Sequence, residues 1–185
     1  MGRDKLLLEV GGEPLLRRVC DALSPRCAEI IVVGGGGSSV RLKSVRRILD
    51  ERRGGLGPLA GLEAGLAAAR SPLVFVAAGD LPFLSERVVR YLLERLESSG
   101  ASAVVPRHRG ESHPLCAAYD RGVLSQVRSA LDGGVRSVRE FLEGLAPVAY
   151  VEEELRRFGD PDHFLMNINS PEDLERARAC SEESL

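Results

Sequence analysis

The stretch Leu73–Ala78, LVFVAA, is the most hydrophobic in the chain, and it stops abruptly at Gly79–Asp80–Leu81–Pro82. Six apolar residues without polar alternation read as a strand buried on both faces, and Pro82 bars the ladder from continuing. Such a strand needs a layer of helices on either side. The rest of the chain supplies them. Glu29–Val33 (EIIVV) and Ser44–Leu49 (SVRRIL) read as further strands, as do Ala101–Pro106 and Pro114–Tyr119. Residues 13–23, 57–70, 85–100 and 170–180 carry helical patterns, with 122–131 and 137–145 less regular. Ser85 and Ser170 are placed as N-caps, Gly100 stands just past a helix end, and Pro14 and Pro171 suit a first turn. Strand and helix alternate through about the first 105 residues, which predicts an α/β fold. The expected architecture is a mostly parallel sheet with helices on both faces and ligands at the carboxyl ends of the strands. With 185 residues and no linker or internal repeat, residues 1–185 are expected to form a single domain.

Composition narrows the function. A formal charge of −2 with acids and bases interspersed gives no long-range pull toward nucleic acid or an anionic membrane. Aromatic residues make up 4% and tryptophan is absent, which argues against stacking platforms for single-stranded bases. No apolar run approaches the ~20 residues of a membrane span, and the first residues have no secretory h-region. Cys20, Cys27, Cys116 and Cys180 are scattered without a CxxC pair, as expected of small hydrophobes in a reducing cytoplasm. The run Gly34–Gly37 fails the dinucleotide fingerprint, because no helix follows at the required spacing.

Five stretches carry chemistry. Asp80 stands where the central strand meets solvent; it suits a hard cation such as Mg2+, or it organises a tight turn. Asp50 closes a strand ahead of a basic, glycine-rich loop, and Gly57–Pro58 then opens a helix whose N-terminus a ligand can approach closely, or the loop is simply solvated. Lys5 follows Gly2 with an acid beside it and is suited to neutralising phosphate oxygens, or it is an ordinary surface lysine. His113 precedes Pro114 at a strand start. Asn167 and Asn169 lie two apart, on one side of the chain if it is extended, where two amides recognise a heterocycle or phosphate or else tie down a loop.

In order, "MGRDKLLLEVGGEPLL", "DERRGGLGPLAGLEAGL", "GDLPFL", "HPLCAAY", "GVRSVREFL" and "NINSPEDL" resemble molybdenum cofactor guanylyltransferase, from residue 1 to about residue 178. The resemblance implies a Rossmann-like nucleotidyltransferase fold, GTP as donor, Mg2+ as cofactor and molybdenum-bound molybdopterin as acceptor. Molybdoenzymes or their chaperones would be partners. It implies that Lys5 holds GTP phosphates, that Asp50 contacts the nucleotide, and that Asp80 binds Mg2+ and GTP. Asn169 and Asn167 would face the pterin, with Arg136 and His113 extending that side. A cytidylyltransferase of the same fold, or a pterin-binding module without catalysis, are the competing readings.

The family opens with a strand and a loop of the form LAGGxSxRMG, and this sequence begins at the methionine of that pattern. The expectation is an internal start, with roughly twenty residues upstream inferred from a mean strand of ~5–6 residues plus the loop; the alternative is a short chain that has lost GTP binding. Four apolar side chains on such a strand contribute about 6–12 kcal/mol, against about 5–15 kcal/mol for a whole domain. A gap between strands with unpaired edges is therefore expected.

Overall fold

The structure is a computed structural model that describes residues 4–35, 40–42, 45–49 and 57–182. The first element is a single 3₁₀ turn, Lys5–Leu7, capped by the Asp4 carboxylate, which accepts from the Leu6 N–H at 3.1 Å. A tight hairpin follows, β1 (Glu9–Val10) and β2 (Glu13–Pro14), turned by Gly11 and Gly12, both at positive φ. A two-residue turn with positive φ at both positions matches the twist of the flanking strands. Pro14 lies in this ladder, so α1 (Leu15–Leu23) begins one residue later than the proline-first pattern predicts.

Next come β3 (Ile30–Val33), β4 (Val45–Ile48), α2 (Pro58–Ala68), β5 (Leu73–Ala77) and α3 (Glu86–Ser99). The Ser85 hydroxyl accepts from the Arg87 N–H, and Gly100 ends α3 at φ +65°, as the caps predict. The chain continues through β6 (Ala103–His108), β7 (Glu111–Ser112) and β8 (Cys116–Asp120), then α4 (Leu124–Asp132) and α5 (Val138–Gly144). It closes with β9 (Val148–Val151), α6 (Pro161–Phe164) and α7 (Pro171–Glu182).

Helices cover both faces of the sheet, and alternation along the strands shows how. Phe75, Ala77, Val104, Cys116 and Ala118 pack with α1 and α3. Their neighbours Val74, Val76, Val105, Ala117 and Tyr119 pack with α2, α4 and α5. Successive side chains leave opposite faces of a strand, so each strand feeds both layers.

The sheet is mixed rather than mostly parallel. Pairs β3–β4 and β6–β9 are parallel, but β8 runs antiparallel to both β5 and β6. The cause is local: Arg109 at φ +50° and Gly110 at φ +79° reverse the chain into a hairpin, so β8 returns against β6.

The expected interruption of the sheet is present among the described residues. β3–β4 forms one piece and β5–β8–β6–β9 another, with no described strand pairing the facing edges of β3 and β5. An apolar cavity of about 580 Å³ separates them. β5, read as the central strand, therefore borders this cleft, and all five of its residues are half-buried. Among the described residues, no helix is long and apolar enough to cross a membrane.

Candidate active site

The turn after β5 brings Asp80 to the strand's carboxyl end, where it is 8% exposed. Its Oδ2 accepts from Lys5 Nζ at 2.5 Å. A turn-organising aspartate would accept main-chain N–H groups instead; here the described partner is an ammonium. Lys5 is carried by the 3₁₀ turn, which lies close against Gly79. A Cβ at that glycine would stand 2.8 Å from Leu6 Cδ2, so the glycine lets the turn come this near.

The other partners come from the far end of the chain. Lys5 Nζ also reaches the Ile168 carbonyl and Asn169 Oδ1, each at 3.3 Å, and the Ile168 N–H donates to the Asp80 carbonyl at 3.2 Å. Asn167 and Asn169 are exposed while Ile168 between them is buried, which puts the two amides on one side of an extended segment. Ile168, Leu174 and Ala177 pack on Val10 and Leu15, so burial of apolar surface holds the C-terminal segment against the N-terminal hairpin.

Asp173 fixes this segment; from sequence it reads as an acid in the first turn of the helix that Ser170 caps, with no role at the site. Its Oδ2 accepts from the N–H groups of Asn169 and Ser170 at 3.0 and 2.9 Å, and its own N–H donates to Ser170 Oγ. Ser170-x-x-Asp173 is a capping box with aspartate in the glutamate position, and that spacing was the available signal. The main-chain N–H groups of Asn169 and Ser170, followed by the Ser170 hydroxyl and Arg176, hold its carboxyl below the ordinary 3.8. A lowered folded value means that Asp173 adds stability above pH 3.8, and that this is lost as pH falls through the folded value. Asp173→Asn is therefore expected to melt below the parent chain at neutral pH, with the difference closing in acid. Thermal melts from pH 7 to pH 2 check this.

The remaining candidates are placed differently. Arg136 turns its guanidinium onto the Leu131 and Val135 carbonyls at 2.8 and 2.9 Å, while its own carbonyl accepts from the Leu59 N–H at the start of α2. It contributes backbone to that helix end, and its side chain is spent on the end of α4. Gly57, at φ +78°, approaches so closely that a Cβ would lie 2.9 Å from the Arg136 carbonyl oxygen. Gly57→Ala is expected to cost about 1–3 kcal/mol through backbone strain and this clash, measurable by urea unfolding.

His113 is half-buried in the loop before β8, and burial lowers its pKa, against a smaller raising effect of Glu111. That loop meets the site's strand through the Ala78 N–H, which donates to the Leu115 carbonyl at 2.7 Å. Asp50 lies outside the described residues. Burial pushes the Cys116 thiol up to about 12, and burial with Asp21 nearby pushes Cys20 up to about 11, so neither is a thiolate near neutrality.

One buried carboxylate beside a lysine is too few ligands for an all-protein metal cage, and among the described residues no group of three or more His, Cys, Asp or Glu side chains could form one. The donor set fits a hard cation that brings phosphate and water ligands of its own.

A family model described as the MobA-like NTP transferase domain matches residues 1–149. A probable molybdenum cofactor guanylyltransferase of Pelotomaculum thermopropionicum is 37% identical over the whole of this chain and 88% of its own length. The molybdenum cofactor guanylyltransferase of Syntrophotalea carbinolica is 33% identical over 96% of this chain and 84% of its own length. The crystal structure of molybdopterin-guanine dinucleotide biosynthesis protein A from Archaeoglobus fulgidus superimposes with a TM-score of 0.83 at 29% identity, covering 98% of this chain and 92% of that one. Agreement of sequence, fold and chain coverage places this chain in the MobA-like NTP transferase family of nucleotidyl-transferring enzymes, among the molybdenum cofactor guanylyltransferases.

Proposed function

We propose that this chain transfers GMP from GTP to molybdenum-molybdopterin, releasing pyrophosphate and forming the guanine dinucleotide cofactor. A phosphate oxygen of the pterin attacks the α-phosphorus of GTP, the bond to the bridging oxygen of the β-phosphate breaks, and pyrophosphate carries that electron pair away. Such chemistry asks for alignment and charge neutralisation more than for proton transfer. The observation that carries the reading is the convergence of Asp80, Lys5 and Asn169 at the carboxyl end of β5.

Asp80 is the residue that would hold Mg2+, which when bound neutralises phosphate charge and polarises the phosphoryl oxygens. Lys5, whose side chain is 38% exposed, presents a point charge to the phosphate oxygens of the leaving group. Asn169 and Asn167 offer amide donors and acceptors to the acceptor side. His113 belongs to the loop that borders this side, and Arg136 acts through its carbonyl at the start of α2. Asp50 is assigned to the nucleotide from the motif alone. The work is done in the cytoplasm.

Pyrophosphate release with GTP, Mg2+ and molybdenum-molybdopterin tests the proposal. Turnover dependent on all three is expected. Equal or faster turnover with CTP would assign the chain to cytidylyl transfer, and cofactor binding without release would make it a carrier.

A further inference from the structure

We infer that Arg18 is a positioning residue of the candidate site: its guanidinium ties the turn that carries Asp80 to the hairpin that follows Lys5, and so holds the carboxylate and the ammonium face to face. This rests on the guanylyl-transfer reading above and adds how that site is held together.

Three segments supply the site. Lys5 lies on the 3₁₀ turn ahead of β1–β2, Asp80 on the turn after β5, and Asn169 beyond α6. Each of them is tied into one stack of side chains. From α1, Arg18 Nε donates to the Pro82 carbonyl at 2.9 Å, and a second guanidinium nitrogen donates to the Val10 carbonyl at 3.2 Å. The same guanidinium lies over the Phe83 ring, 5.6 Å from its centroid. Phe83 in turn stacks on His163 of α6, with ring centroids 3.9 Å apart and 27° between the planes. Pro82 and Phe83 directly follow the Asp80 turn, Val10 belongs to the hairpin after Lys5, and α6 leads into the segment of Asn169.

The backbone around Asp80 is held residue by residue. Gly79 abuts Leu6, the Asp80 carbonyl accepts from the Ile168 N–H, and the Leu81 side chain is buried in the core. Arg18 adds the hold on the Pro82 carbonyl, and of these four it is the one made by a charged, half-buried side chain. A hydrogen bond from an ionised donor is roughly twice as strong as a neutral one. A planar guanidinium can also address two carbonyls at once from fixed directions, which a lysine cannot. Among the described residues the hydrogen bonds of Arg18 go to these carbonyls rather than to Glu13 or Asp21, the two acids lining the same cavity, so the side chain serves the backbone of the site. Alignment is what phosphoryl transfer asks of a protein, and a displacement of about 1 Å can cost on the order of 10²-fold in rate.

The test compares Arg18→Gln and Arg18→Lys in the full chain. Arg18→Gln is expected to lower kcat about 10–100-fold while KM for GTP changes less than about threefold. In the Asp80→Asn background the same substitution should lower the rate by less than about threefold, because the carboxylate it orients has already lost its charge. A general loss of folded protein would lower both backgrounds equally. Arg18→Lys keeps the charge and the stem without the fork, and should melt with the parent yet remain slow. Independently of turnover, hydrogen exchange at the Ile168 amide, bonded to the Asp80 carbonyl, is expected to speed at least about tenfold in both variants. The amides of Ala117 and Ala118 in β8 should keep the parent's rate. A parent chain that transfers no GMP would sink the function proposed above, and the Ile168 amide would then decide this inference alone. An Ile168 amide that does not respond, an equal loss in the two backgrounds, or full rate in Arg18→Lys overturns it.

Discussion

Asp80→Asn is expected to lower the rate of guanylyl transfer by about 10²–10³-fold, the range measured for removing one preorganised electrostatic group from a reacting centre. The substitution keeps the side chain's size and removes only its charge. Lys5→Ala should fall in the same range, and the double variant should be little worse than either single one, because the proposed roles of both converge on the same phosphates. Stability should change by less than about 1 kcal/mol in either case, since a pair with one partner this exposed is screened by solvent. Pyrophosphate release under saturating substrates reads the first effect and urea unfolding the second. Turnover of Asp80→Asn within about threefold of the parent would remove Asp80 from the chemistry.

The largest structural effect is expected from Leu92→Ala. Leu92 lies on the inner face of α3, is 0% exposed, and belongs to the cluster that covers one face of the sheet. Truncating such a side chain costs about 2–5 kcal/mol from lost transfer energy and the cavity left behind. Against about 5–15 kcal/mol for a domain, that is a large share. A shift of the urea midpoint without a change in slope is the expected signature.

Much of this was readable in the residues. Helix ends were legible because caps are local: Ser85, Gly100 and Ser170 each do what their chemistry suggests. The position of Asp80 was legible because an apolar run broken by Gly-Asp-Leu-Pro can end in few ways. Strand direction was not. Whether β8 runs with or against β5 depends on the Arg109–Gly110 reversal, whose left-handed backbone at a non-glycine residue carries little sequence signal. β9 was overlooked as well, because VAYV is short and alternates weakly between the end of α5 and a 3₁₀ segment. The Val10–Gly11–Gly12–Glu13 hairpin was available as a two-glycine turn but was masked by the stronger helical pattern after it. The meeting of Lys5 with Asn169 could not be read from spacing, since 164 residues separate them and tertiary contacts, among them the packing of α7 on the first hairpin, bring them together.

That last junction has a consequence for biosynthesis. The candidate cluster is stitched from segments 164 positions apart, so a chain still emerging from the ribosome presents Lys5 and Asp80 before the Ile168 carbonyl and the Asn169 amide that complete the set. Assembly of the candidate cluster therefore waits for α7 to dock, and clipping α7 would uncover Val10 and Leu15 and release the segment that carries Asn169.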